Sequence, residues 1–591
     1  MYLIPKPKEI NLKTGKIYAS SIDADFGALL TEQVANALSY LADDMQENCP
    51  DGETLNITAE IKKEYTNNEE YSFAIDESGI KIYAGDARGA FYAIQTLRQI
   101  VYTEKCFPYC TIYDKPDFAF RGLQNDTTRG RVPTVEGLKK IADMCAYLKI
   151  NKLVLYFEHS LALREFECIS TAEESLNADE LREVVEYCRL LYIDVIPYLA
   201  MVGHQYKLLQ HDKYKHLCEL ENYVPTKHYW EERMSHHSFD VSNPESFEMV
   251  KSFIDQLVEI FPSDVYIPGV DESWDLGKGK NAGCNVIEAY CSYLDKICDY
   301  LKKYNKTALI ADDILQNHKG FLLKSDNTIM YHWDYEKEPC EDKYKTLYEK
   351  NLKFIAVPCT ISYNGPIERA GHSVPNIIKT VEYAKKYGGS GIINTIWGDS
   401  GHWADFNCNL YGISVGAEKS WNNEAPIKDG TFESTFSALI YGERETSVKK
   451  LIGRIAVLTY NASGYYISHW CSDNLVNNKN TEFTLIEPET PHSYYIEKAI
   501  EAENEARALM EKHPEKSEFY ESLAGAASIT HTLNILTRGL TEKRRLTKEE
   551  LDIVNERFEA YHKLWLRNNK ESEFYENRQV VEGIIKYLER Y

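Results

Sequence analysis

Between residues 118 and 397 the chain repeats one unit, a short apolar run followed by a stretch of helical periodicity. The runs cover 118–125, 152–157, 192–199, 264–267, 308–311, 328–333, 353–357 and 391–397. Apolar strands separated by amphipathic helices require a parallel sheet covered on its outer face, and eight of them over this length predict a (β/α)8 TIM barrel. Helix starts fall between the runs: Asn177 with Glu180 makes a capping box, and Asn243-Pro244 is an N-cap followed by proline at the first helical position.

A chain of 591 residues exceeds the roughly 250–300 at which one core stops growing, so the barrel has neighbours. Residues 1–115 mix alternating strands, such as Tyr71-Ser-Phe-Ala-Ile75, with a helix behind Asp86, and predict an N-terminal α+β accessory domain. The Pro- and Asp-rich segment 112–118 marks its end. The barrel is assigned to 116–425. Residues 426–591 are charged and helically periodic and predict a C-terminal helical domain, whose uses include dimerisation into a homo-oligomer, roofing the pocket or capping the barrel.

The net charge of −24 argues against a nucleic-acid or anionic-membrane partner, which would call for a basic face. No run of about 18 apolar residues occurs and the start lacks a basic segment leading into an apolar one, so a soluble, cytoplasmic protein is expected. The 14 cysteines form no CxxC pair; Cys284, Cys291 and Cys298, spaced by seven, read as the buried face of a helix. The 43 tyrosines are compatible with sugar stacking but equally with helical cores.

In a TIM barrel the residues that end each strand converge on one rim. Here they include Arg121 with Asp126, Glu158 with His159, His204, Asp271 with Glu272, Asp312 with Asp313, Trp333 with Asp334 and Tyr335, Tyr363 with Asn364, and Trp397 with Asp399. Carboxylates, an arginine and aromatics around a concave mouth suit a neutral, polyhydroxylated small molecule. Asp271 and Glu272 stand out, because an apolar run ends abruptly in the pair; the pairs Asp43-Asp44, Glu69-Glu70 and Glu173-Glu174 lack that context and read as solvated. Asp312, Asp313 and His332 have the donor types for a divalent cation, but carboxylates that orient neighbours are commoner, so no metal and no cofactor are assigned. His236-His237 reads as a polar loop without a specific role.

These residues resemble glycoside hydrolase family 20, the β-N-acetylhexosaminidases, within its branch carrying a helical C-terminal extension. The resemblance spans roughly residues 1–425 and is carried by Gly89-Ala-Phe-Tyr92 with Gln95-Thr-Leu97-Arg-Gln99, by Ile112-Tyr-Asp-Lys-Pro116 leading to Phe120-Arg121-Gly122, by Gly269-Val-Asp271-Glu272, and by Trp397-Gly398-Asp399. It implies an exo-acting enzyme that removes terminal β-linked GlcNAc or GalNAc with retention, the substrate's 2-acetamido group acting as nucleophile. Glu272 would be the general acid and Asp271 the partner of the acetamido N–H. Arg121 would grip O3 and O4, Asp399 would hold O4 or O6, Trp333 and Trp397 would wall the acetamido methyl, and Tyr363 would donate to its carbonyl. His204 would orient the acid, with Glu158 or His159 completing that chain. The sequence departs from the family pattern at Ile267, where many members have His, at Asp399, where many have Glu, and at 156–160, which replaces a familiar Asp-Asp-Pro. Two other readings stay open: a glycosidase with Glu158 or Asp313 as enzymic nucleophile, and a sugar-binding barrel without catalysis.

Overall fold

The computed structural model describes residues 1–220, 236–317, 323–399, 401–445, 447–461 and 490–591. The two histidines at 236 and 237 fall inside this set, and all proposed site residues do.

The N-terminal part is a six-stranded sheet of β1 (Glu9–Ile17), β2 (Ala19–Asp25), β3 (Glu53–Ile61), β4 (Tyr71–Asp76), β5 (Gly79–Ala84) and β6 (Phe107–Asp114), in the order β1-β6-β4-β5-β3-β2. Alternation along β4 leaves Tyr71, Phe73 and Ile75 buried on the face that packs under α2 (Ala87–Glu104), while α1 (Glu32–Asn48) lies beside α2 against β2. Asp86 caps α2 by accepting from the Arg88 N–H, as its position in the sequence implies.

The barrel closes as β7 (Phe120–Asp126), β8 (Lys152–Phe157), β9 (Asp194–Ala200), β10 (Val265–Gly269), β11 (Thr307–Ala311), β12 (Thr328–Trp333), β13 (Phe354–Val357) and β14 (Gly391–Ile396), each parallel to the next. The last seam pairs Gly391 with Phe120 through Ile396 with Asn125. All eight apolar runs are strands, displaced from expectation by a residue or two at their ends. Helices α3 (Val135–Tyr147) and α4 (Ala178–Arg189) follow β7 and β8, and α4 starts on the full capping box of Asn177 and Glu180.

Arg121 is a correction. It begins β7 rather than ending it, and so lies at the opposite end of the barrel from the rim. Its guanidinium, 1% exposed, donates to both carboxylate oxygens of Glu69 at 2.6 and 3.1 Å and to the carbonyls of Phe118 and Lys149, and lies over the Trp421 ring. A bidentate buried pair of this kind joins the N-terminal sheet to the barrel floor. The resemblance motif around Gly89 has the same purpose: a Cβ there would come 2.5 Å from the Glu70 carbonyl, and Tyr92 packs edge-on against Trp421. These residues hold two layers together at the end of the barrel away from the rim.

The C-terminal helices Ser517–Thr541, Lys548–Trp565 and Tyr575–Leu588 bury Leu533, Leu536, Phe558, Trp565, Phe574 and Ile584 in a core that also takes in Trp403, from the loop beyond β14. The last two helices and the segment between them run along the rim: Lys570 N–H donates to the Val132 carbonyl at 2.7 Å, Asn577 donates to the His402 carbonyl at 3.3 Å, and Tyr561 O–H donates to the Trp403 carbonyl at 2.6 Å. The helical part therefore braces the loops after β7 and β14. No described helix is long and apolar enough to cross a membrane.

Candidate active site

Strand β10 ends at Gly269, where a Cβ would come 2.7 Å from the Ala200 backbone, and the chain then turns sharply. Glu272 has φ +50, a left-handed backbone that a non-glycine residue keeps only when its surroundings hold it there. That hold is visible: the Glu272 N–H donates to Asp313 Oδ2 at 3.1 Å, and the Glu272 carbonyl lies 3.1 Å from His237 Nε2. The turn sends the two neighbouring side chains apart. Asp271 points inward and is 7% exposed, while the Glu272 side chain is 35% exposed at the mouth.

Between them sits His204, itself at φ +58 and 4% exposed. Its Nε2 lies 3.5 Å from Asp271 Oδ2 and 3.3 Å from Glu272 Oε2, and its Nδ1 lies 3.7 Å from Glu158 Oε1. Burial alone would make this imidazole shed its proton, but the bonds to Asp271 and Glu272 outweigh burial and hold it up at about 9. Burial pushes Asp271 upward, and contact with His204 together with the 2.8 Å hydrogen bond from Tyr198 O–H brings it below the usual carboxylate range. His204, Asp271 and Glu272 are close enough to share a cation. The imidazolium already supplies that charge, whereas a histidine that ligates a metal must be neutral.

Burial with the Asp271 charge raises Asp313 to about 8. At neutral pH it is an acid holding its proton, poorly suited to attack carbon. Asp312 takes His332 instead, with Nδ1 at 3.0 and 2.9 Å from its two oxygens.

The opposite wall belongs to a residue that sequence reasoning passed over, Arg129, in the loop after β7. It is 5% exposed. It donates to Glu158 Oε1, Asp399 Oδ1 and Tyr156 O–H, each at 2.9 Å, and stacks over the Tyr156 and Trp397 rings. Burial opposes its charge, but Tyr156 and the carboxylates of Glu158, Asp126 and Asp399 keep it firmly cationic. The positional rule that named the rim residues would have found it, had the arginine just beyond the end of the strand been preferred to the one at its start.

Trp397 is 6% exposed, edge-on to Tyr156 at 4.9 Å, and donates to Tyr335 O–H at 2.9 Å. Trp333 lies 5.1 Å from Tyr335, and Tyr363 is held under the Arg369 guanidinium. Asp399, at φ +54, keeps its side chain 24% exposed beside Arg129. The structure thus gathers Asp271, Glu272, His204, Glu158, Trp397 and Asp399 in one contact network, sets Trp333 and Tyr363 on its flank, and leaves out Arg121.

His237 is a second correction. It is fully buried, its Nδ1 accepts from the His204 N–H at 3.1 Å, and its ring packs edge-on against His204 at 4.7 Å. Burial and the His204 charge hold it well below the usual imidazole range, so it stays neutral. A polar-looking loop hid this, since nothing local predicts that the loop folds under the rim. His159 turns away from the network. Its Nε2 lies 3.0 Å from Glu573, with Lys207 also at 3.3 Å from that carboxylate.

Comparison with known proteins gives the family. The family profile described as the catalytic domain of glycosyl hydrolase family 20 matches residues 118–388, and the profile of that family's domain 2 matches residues 1–115. The chain is 27% identical over 246 residues to the beta-hexosaminidase of Akkermansia muciniphila, covering 37% of this chain and 48% of that protein. It is 24% identical to beta-hexosaminidase B of Pseudoalteromonas piscicida, covering 34% of this chain and 30% of that one. The chain thus spans half or less of these relatives' length. Among solved structures, the Flavobacterium johnsoniae chitobiase shares the fold over 100% of this chain and 99% of its own, with a TM-score of 0.63 at 15% identity.

Proposed function

Since this chain belongs to glycosyl hydrolase family 20, we propose that it is an exo-acting β-N-acetylhexosaminidase that removes terminal β-linked GlcNAc or GalNAc with retention, using the substrate's own 2-acetamido group as nucleophile. The observation that carries the reading is one imidazolium held between two divergent adjacent carboxylates, one buried and ionised, the other open at the mouth. Glu272 protonates the glycosidic oxygen while the acetamido carbonyl oxygen attacks the anomeric carbon, and the leaving group departs as an alcohol. Asp271 accepts from the acetamido N–H and offsets the positive charge of the oxazolinium that forms. Glu272 then takes a proton from water, whose attack reopens the ring on the original face.

In this reading Arg129, not Arg121, meets O3 and O4. Asp399 beside it takes O4 or O6, Trp397 lies against the sugar ring, Trp333 flanks the acetamido group, and Tyr363 donates to its carbonyl. His204 steadies Asp271 and Glu272, and Glu158 steadies His204 and Arg129. The rival with an enzymic nucleophile loses support because Glu158 is tied to Arg129 and Tyr156 while Asp313 is protonated at neutral pH. A cytoplasmic location and the division at 115 and 425 belong to the same proposal. The buried, unpaired thiols of Cys145, Cys188 and Cys298 suit a reducing compartment.

The test is hydrolysis of nitrophenyl N-acetyl-β-glucosaminide. Glu272→Gln should fold and lose about 100- to 10,000-fold in kcat, and an N-acetylglucosamine thiazoline should inhibit the unaltered enzyme tightly. Covalent trapping of a carboxylate by a fluorosugar, or binding without hydrolysis of any N-acetylhexosaminide, would refute the assignment.

A further inference from the structure

Around the mouth, Glu272 follows β10, Asp313 follows β11, Trp333 ends β12, Tyr363 follows β13, Asp399 follows β14 and Arg129 follows β7. With the far hydroxyls of the sugar at Arg129 and Asp399 and its anomeric carbon at Glu272, the 2-substituent points into the sector of β11 to β13. That sector is not closed. It holds a cavity of about 270 Å³ whose lining includes Asp313, His332, Trp333, Lys343, Tyr363 and His372. An acetamido methyl needs no more than the volume of about one water, roughly 30 Å³, so most of this space is surplus to it.

Among the described residues, two buried polar atoms of the cavity have no partner, His332 Nε2 and Asp313 Oδ1. His332 is 1% exposed. Its Nδ1 faces both oxygens of Asp312, which places the ring hydrogen of the neutral imidazole there and makes Nε2 the acceptor of that tautomer. Asp313 spends Oδ2 on the Glu272 N–H. Burial keeps the acid protonated near neutrality, its midpoint at about 8, and Oδ1 is then the oxygen free to donate. One acceptor and one donor in one cavity match a hydroxyl. A purely apolar extension would leave both atoms unsatisfied, and an anionic one would find the Lys343 ammonium of the lining already 3.3 Å from Asp334 and would meet Glu336 besides.

Resting on the proposed function, we propose that this cavity receives an extended, hydroxyl-bearing 2-acylamino group, so that substrates include β-linked 2-hydroxyacylamino sugars, the glycolylamino sugar first among them. Nothing in the acetyl reaction itself calls for this space. The rival use of the cavity, as a seat for the leaving group, gives a different response when only the acyl group is varied.

The experiment compares kcat/KM for nitrophenyl β-glucosaminides that carry N-acetyl, N-glycolyl and N-propionyl groups on the same leaving group. The glycolyl substrate should equal or exceed the acetyl one, although its hydroxyl withdraws electrons from the attacking carbonyl. The propionyl substrate, of similar length but unable to satisfy the cavity, should fall at least about tenfold below the glycolyl one. His332→Asn keeps a donor for Asp312 while removing the Nε2 acceptor, and should erase the gap between glycolyl and propionyl without slowing acetyl hydrolysis. Propionyl turnover equal to glycolyl, or glycolyl turnover more than about tenfold below acetyl in the unaltered enzyme, overturns the proposal. Failure to hydrolyse all three, acetyl included, overturns the function on which it rests.

Discussion

Replacing Arg129 with methionine tests the rim assignment and the correction of Arg121 together. The side chain is 5% exposed and faces Glu158, whose side chain is 1% exposed, and Asp399, which is 24% exposed. Removing one partner of a buried pair strands the other charge, at a cost of about 3–5 kcal/mol. Most of that falls on Glu158, because solvent screens Asp399. The sign with pH follows from the stranded acid. Loss of the guanidinium raises the folded-state pKa of Glu158 relative to wild type, although Tyr156 O–H and His204 still face it, so the penalty is small where the acid is protonated, below about 4, and grows as pH rises and it ionises. Urea unfolding at pH 5 and pH 8 should show a wider gap between wild type and Arg129→Met at pH 8. Loss of charged hydrogen bonds to two hydroxyls, each about 1.5–3 kcal/mol, should also lower kcat/KM by at least about 100-fold. Arg121→Met strands Glu69 and should cost comparable stability, yet its folded fraction should turn over near the normal rate. Equal catalytic loss in both variants, or an Arg129→Met stability gap independent of pH, would refute the reasoning.

Two further outcomes follow from the same network. Asp313, with its folded-state midpoint raised to about 8, holds a proton that the unfolded chain gives up, so its own contribution to stability should fall as pH climbs from about 4 toward 8; the stability of wild type relative to Asp313→Asn should fall over that range, and thermal unfolding profiles with parallel slopes would show the acid to be ionised in the folded protein. Glu573→Ala removes the carboxylate shared by His159 and Lys207, so it should lower stability by about 1–3 kcal/mol and speed hydrogen exchange in 158–162, and unchanged exchange there would show that the helical part does not brace this loop.

The barrel was legible because its signal is local and repeated. Each apolar run is bounded by a helix start whose cap is visible in the letters, as at Asn177, and the pattern survives errors of a residue at any one strand. Asp271 and Glu272 were legible for a related reason, an abrupt change from apolar to acidic at a strand end. What stayed hidden depends on direction or on distance along the chain. Arg121 and Arg129 lie eight positions apart on either side of one strand, and only the sense in which β7 enters the barrel decides which reaches the mouth. His237 is placed by a loop that folds beneath His204, and Glu573 lies 414 residues from the histidine it binds; neither pairing leaves a local trace.

That last separation bears on how the protein comes into being. The segment that steadies the loops beside Arg129 and Asp399 is synthesised long after the barrel it serves. At translation rates of about 5–20 residues per second, a nascent chain carries its acid pair for tens of seconds before residues 570–577 emerge. The barrel can close in that interval, but two of its loops still lack their brace. Turnover should therefore begin only when the C-terminal segment arrives.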